Sequence, residues 1–157
     1  MKVARRKYDV EKARAALRRH PLLAGCSADF ATTVLEHARV ECFEAGEHLS
    51  REGDRADYWL LCAGSTRVFY RSPLGSEVTV KLFSAPAAWA EMEVLTHRPH
   101  MEDCAAVDRV VAARVPAARF VLLLDAEPRF CRNVLEDCAA RFYIAAQSEK
   151  KLAFASV

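Results

Sequence analysis

The chain has 157 residues, 52% of them hydrophobic, and its 23 Lys and Arg nearly balance 21 Asp and Glu, leaving a net charge of +2. That supplies one domain with a real core, and too even a charge for a field that would itself hold nucleic acid. No run approaches the ~18 apolar residues of a membrane span and no signal-peptide stretch opens the chain, so a cytoplasmic protein is expected.

Lys2, Arg5, Arg6, Lys7, Arg14, Arg18 and Arg19 make the start basic and read as the wet face of a helix. The helix-forming run Val10 to Arg19 stops at His20-Pro21, because the residue before proline avoids the helical region. Ser27 can cap a second helix, in which Phe30, Val34, Leu35 and Ala38 recur on one face. After Arg39 the texture changes to short segments parted by turns: Val40 to Phe43, His48 to Arg51, Tyr58 to Cys62, Thr66 to Tyr70 and Glu77 to Phe83. Alternation of Val78, Val80 and Leu82 with Thr79 and Lys81 predicts a half-buried strand. A further pair, Cys104 to Val107 and Val110 to Val115, closes at Pro116.

Pro116 then opens a short helix over Ala117 to Asp125. From Arg129 onward there is no Gly or Pro, which allows one long helix. Leu135, Cys138, Ala139, Phe142, Ala145, Ala146 and Leu152 recur in it at spacings of three, four and seven, as a helix packed on its own domain and on a twin requires. A homodimer is expected, with Leu135, Cys138, Phe142, Ala145 and Leu152 in its seam. The division is a helical segment at 1–38, a β domain at 39–116 and a helical pair at 117–157.

This order resembles the cyclic-nucleotide-binding domains of the Crp/Fnr (catabolite activator) family of transcription regulators. Gly46, Glu52-Gly53-Asp54, Tyr58-Trp59, Leu61 and Gly64 resemble the spaced glycines and aromatics of that family's β-roll. The resemblance implies a mainly β fold, a double-stranded β-helix of jelly-roll type with N-terminal helices and a long C-terminal dimerisation helix. It also implies a phosphate-binding cassette, here Ala88-Trp89-Ala90-Glu91, Met92 to Leu95, then Thr96 to Ala106. The implied effector site comprises Trp89, Ala90, Glu91, Met92, Arg98, His100, Met101 and Asp103, with Ala145 and Ala146 of the long helix.

Glu91 matches the family's ribose-binding glutamate, while the glycine before it has become Ala90. The family arginine falls at Met101, or at His100 or Pro99 with slack, and none offers a guanidinium fork. Arg98 is the nearby guanidinium in the sequence, and Glu102 and Asp103 would repel a phosphodiester. Ala145 and Ala146 stand where the family places a threonine and a serine on the base. Cyclic AMP is therefore not expected in the usual pose, and the partner is a small effector, a cyclic nucleotide or another. The rival reading is a ligand-free module for dimerisation or protein contact, its pocket closed by Trp89 and Met101.

No cofactor is assigned. Haem is not expected, since His97 and His100 read as exposed loop residues around Pro99. The six cysteines, Cys26, Cys42, Cys62, Cys104, Cys131 and Cys138, form no C-x-x-C pair and read as reduced thiols, with Cys104 at the cassette exit as the redox alternative. No metal site and no catalytic motif is present, and an enzyme is not expected. DNA is expected to be reached only through a winged helix-turn-helix, which these 157 residues do not contain.

Overall fold

The computed structural model describes residues 2–155, with side chains from Val10 onward. Helix α1 (Lys2–Arg18) is followed by a 3-10 turn (Pro21–Leu23) and α2 (Ala28–His37). On α1, Ala13 and Leu17 lie one turn apart and are buried, whereas Arg14, Arg18 and Arg19 are exposed. The side chains of Lys2, Arg5, Arg6 and Lys7 lie outside the described residues. Ser27 caps α2 as expected, its Oγ accepting from the Phe30 amide at 3.1 Å, a contact worth about 1 kcal/mol.

Eight strands form two antiparallel four-stranded sheets. One runs β1 (Arg39–Phe43), β8 (Val110–Val115), β3 (Tyr58–Ala63), β6 (Ala87–Trp89); the other β2 (His48–Ser50), β7 (Asp103–Ala106), β4 (Ser65–Arg71), β5 (Glu77–Ser84). This is the jelly-roll architecture expected from the sequence. Alternation along β3 divides the interior in two. Trp59 and Leu61 face between the sheets with Leu49, Val68 and Cys104, while Tyr58 and Leu60 face the helices with Leu17, Val34, Phe120 and Phe130. Between the sheets the rings of Phe83, Trp89 and Trp59 stack near-parallel, with centroids 5.3 and 6.1 Å apart, and Phe43 abuts Trp59 at 6.1 Å.

One strand departs from expectation. Val78, Val80 and Leu82 are all exposed rather than half-buried. The eight-residue β5 edges its sheet, but β6, the strand it meets through the Phe83–Trp89 stack, has only three residues and cannot cover it.

The loop at Gly64 is held tightly. Its φ is +83°, and a Cβ there would collide with the Arg109 carbonyl oxygen. Beyond the sheets come a third helix, α3 (Glu91–Leu95), inserted between β6 and β7, then α4 (Ala117–Ala126) and the 28-residue α5 (Pro128–Ala155). The first half of α5 docks on the domain, through Phe130 and Val134 and, at its far end, Arg141. From Phe142 to Ala155 every residue is exposed, about 21 Å of helix. No helix among the described residues is long and apolar enough to cross a membrane.

Candidate effector site

The site is built at the start of α3. Ala90 is the residue before the helix and adopts φ +79°, a left-handed conformation that costs an alanine ~1–2 kcal/mol. Its carbonyl accepts the Val94 amide at 3.0 Å and starts the helix. Glu91, the next residue, is only 3% exposed, and its Oε1 accepts from Nη2 of Arg141 on α5 at 2.5 Å. Asp137, one turn earlier on α5, holds the same guanidinium at 3.0 Å. Cys138 packs beside this pair, and burial together with the Glu91 charge raises its thiol pKa. Burial, and then Glu91, also pushes the Tyr58 phenol well above its ordinary range.

Arg141 was not among the residues expected here. It stands one turn before Ala145, so the helical face assigned to the effector could have revealed it. Arg98, the guanidinium favoured from sequence, is exposed and lines a separate cavity of about 400 Å³ with Gly53, Ala56, Pro99 and Ala117, which Glu91 does not border.

The remaining expected residues divide by direction. Trp89 points into the roll, within the aromatic stack. Met92 and Met101 point outward, Met101 being 48% exposed, so Met101 does not close a pocket. Its neighbours His100 and Asp103 are the ones turned inward. His100 is therefore not an exposed loop residue: its amide donates to Asp54 O and its carbonyl accepts from Gly53 N, both at 2.9 Å, which clamps the cassette exit to the β2–β3 turn. Asp103 accepts from the Glu52 amide at 2.9 Å and lies 3.7 Å from Arg71. Glu102 accepts from the Tyr70 hydroxyl at 3.0 Å and lies 4.0 Å from Lys81. Glu93 is buried, and that burial, followed by Glu102 and Glu91, raises its carboxyl pKa. Leu135, Phe142, Ala145, Ala146 and Leu152 are exposed along α5, with Cys138 half-buried.

Cys104, the redox alternative, is buried on β7. Burial pushes its thiol up to about 12, which favours the protonated, less reactive form.

The histidines of this region carry two testable consequences. His97 ends α3 in a Schellman turn, its amide bonding Val94 O at 3.3 Å and the Arg98 amide bonding Glu93 O at 2.9 Å, with His97 at φ +56°. Since His97 is exposed, His97→Gly relieves the backbone without loss of packing. A gain of about 1 kcal/mol is expected in urea unfolding. His20 and His100 are buried, and burial lowers both below 6.5. A depressed imidazole leaves the unfolded chain binding protons first. The stability it supports is complete above pH 6.5 and is lost as the pH falls from there through the lower folded values. Melting temperatures should therefore drop progressively below pH 6.5, and His100→Asn should flatten that slope.

Comparison with known proteins gives this geometry a family. The cyclic nucleotide-binding domain profile matches residues 40–127, more than half of the chain, and the chain belongs to that family. The fold is shared with the catabolite activator protein of Thermus thermophilus (TM-score 0.74, 21% identity, 85% of this chain and 63% of that one). It is shared too with the sensor domain of the transcriptional regulator DNR from Pseudomonas aeruginosa (0.71, 17%, 85% and 91%). A third similar structure is the regulatory subunit of a cAMP-independent protein kinase A from Trypanosoma brucei (0.68, 20%, 89% and 52%). The chain spans less than two thirds of the catabolite activator structure. No functionally curated protein matches the sequence.

Proposed function

We propose that the chain is the effector-sensing and dimerising part of a Crp/Fnr-like transcription regulator, and that its altered cassette does not hold cyclic AMP in the usual pose. The observation that carries this reading is the Glu91–Arg141 ion pair, which ties the cassette directly to the long helix. An effector that reaches Glu91 must engage or displace Arg141, and so shifts the balance between arrangements of α5. The effector is a small molecule, and DNA is reached through a helix-turn-helix domain outside these residues.

The dimer is supported by the exposed end of α5. Leu135, Cys138, Phe142, Ala145, Glu149 and Leu152 follow one another at alternating spacings of three and four, the seam of a two-stranded coiled coil. Phe142, 72% exposed at the middle of that seam, is the natural anchor. Sedimentation should find a dimer at tens of micromolar and a monomer for Phe142→Glu; a monomeric parent chain would refute the dimer. In calorimetry, cyclic AMP should bind weakly or not at all, and tight binding would refute the altered cassette. The stack of Phe83, Trp89 and Trp59 between the sheets favours the second reading, a ligand-free dimerisation module. That reading requires a screen of cyclic mono- and dinucleotides and small anions to give no binding at all.

A further inference from the structure

The two sheets each have two edges. Strands β5 and β6 lie at one side of the roll, next to Glu91, and β1 and β2 at the other. A cavity of about 240 Å³ opens between β2 and the β3–β8 pair, bordered by neither Glu91 nor any residue of α5. At ~30 Å³ per water it has room for about eight waters, enough for a monosaccharide.

Its walls are polar and buried. Ser50, Asp57 and His100 line it and are each more than nine-tenths buried. Asp57 is committed: Oδ2 accepts from Arg114 Nε at 2.7 Å and Oδ1 from the Ala117 amide at the start of α4 at 3.0 Å. The Ser50 hydroxyl and the His100 imidazole have no hydrogen-bond partner among the described residues, although both residues are buried at the cavity wall. These groups open onto the cavity, where they are free to bond to whatever occupies it. Leu49 and Trp59 provide an apolar floor, and the Trp59 indole N–H is itself buried without an acceptor.

The charges point to the ligand's class. Arg114 is matched by Asp57, and Arg55 and Asp54 bring one further charge of each sign, so the lining is balanced while His100 is neutral. A lining without net charge has no overall preference for an ion of either sign, whereas hydroxyls, which both donate and accept, can satisfy Ser50, His100 and Asp54 together. We propose that this flank of the roll is a second binding site, which takes an uncharged polyhydroxylated molecule of monosaccharide size. Through Arg114 and Asp57 its occupant touches the start of α4, and hence the joint between the roll and α5. The proposal does not depend on what binds at Glu91.

The test uses the full chain and three probes, D-glucose, D-ribose and myo-inositol, with glycine and inorganic phosphate as charged comparators. Because polyols stabilise proteins generally by exclusion, melting temperature is not the readout. Calorimetry is paired with NMR of the tryptophan indole N–H resonances. The expected result is saturable heat from at least one polyol, with one indole resonance moving along the same isotherm. Asp54→Asn should weaken that binding about tenfold and Ser50→Ala severalfold, as loss of a charged and of a neutral hydrogen bond would. Both variants should unfold at the same urea concentration as the parent, within error. Absence of saturable binding by all three polyols overturns the proposal, as does binding that neither substitution weakens. Saturable binding of glycine or phosphate in place of the polyols overturns the assigned class. Loss of the dimer or of effector binding at Glu91 would leave these readouts unchanged, so the two proposals fail separately.

Discussion

Arg141→Ala is expected to destabilise the fold by about 3 kcal/mol, measured by urea unfolding. The reason is what it leaves behind. Glu91 is 3% exposed and would retain a buried carboxylate with its cation removed, a loss that costs ~3–5 kcal/mol for fully buried pairs. The lower end applies because the Arg141 side chain is 28% exposed and water can reach part of the gap. The Asp137 contact adds little, since that carboxylate is more than a third exposed. Glu91→Gln in the Arg141→Ala background should recover most of the loss, because a neutral amide is far cheaper to bury than a carboxylate. A double-mutant cycle showing no coupling between the two positions would contradict the pairing.

Gly64→Ala is the other large effect expected, about 2–5 kcal/mol of destabilisation. Two costs add. A left-handed alanine loses ~1–2 kcal/mol, and forcing a methyl group against packed atoms loses ~1–3 kcal/mol. The second cost is unavoidable here, because the first atom met is the Arg109 backbone oxygen. Asp108 Oδ1, at 2.8 Å, cannot swing away without breaking its 2.7 Å bond from the Ser65 amide. Gly75, at φ +86° but with open space around it, serves as the control. Gly75→Ala should show the conformational cost alone, ~1–2 kcal/mol. Equal effects at the two glycines would show that the β3–β4 corner yields.

Much of the architecture was legible because it is written in local chemistry. Ser27 caps its helix, His20-Pro21 stops the one before, and the turn glycines mark strand ends. What escaped was written in partners distant along the chain. Strand β6, Ala87-Ala88-Trp89, is too short to show a period and exists through its pairing with β3. Alternation in β5 correctly gave a strand but could not say that nothing would cover it. At the site, Glu91 was recognisable by its motif, whereas Arg141 lies 50 residues away and declares itself only when α5 docks. His100 was misread for a related reason. Its neighbours Pro99 and Met101 have the texture of a surface loop, and its burial comes from the clamp to Gly53 and Asp54.

The aromatic stack has a practical consequence. The chain contains two tryptophans, and both belong to that stack, their rings within 12° of parallel and 6.1 Å apart. With no tryptophan elsewhere in the chain, indole fluorescence and the indole bands of the near-ultraviolet circular dichroism both report on this one stack. Because Trp59 and Trp89 are register partners on adjacent strands of one sheet, the pair is a built-in gauge of the β3–β6 edge: its signal changes if that edge frays, and it holds if only the outer end of α5 moves.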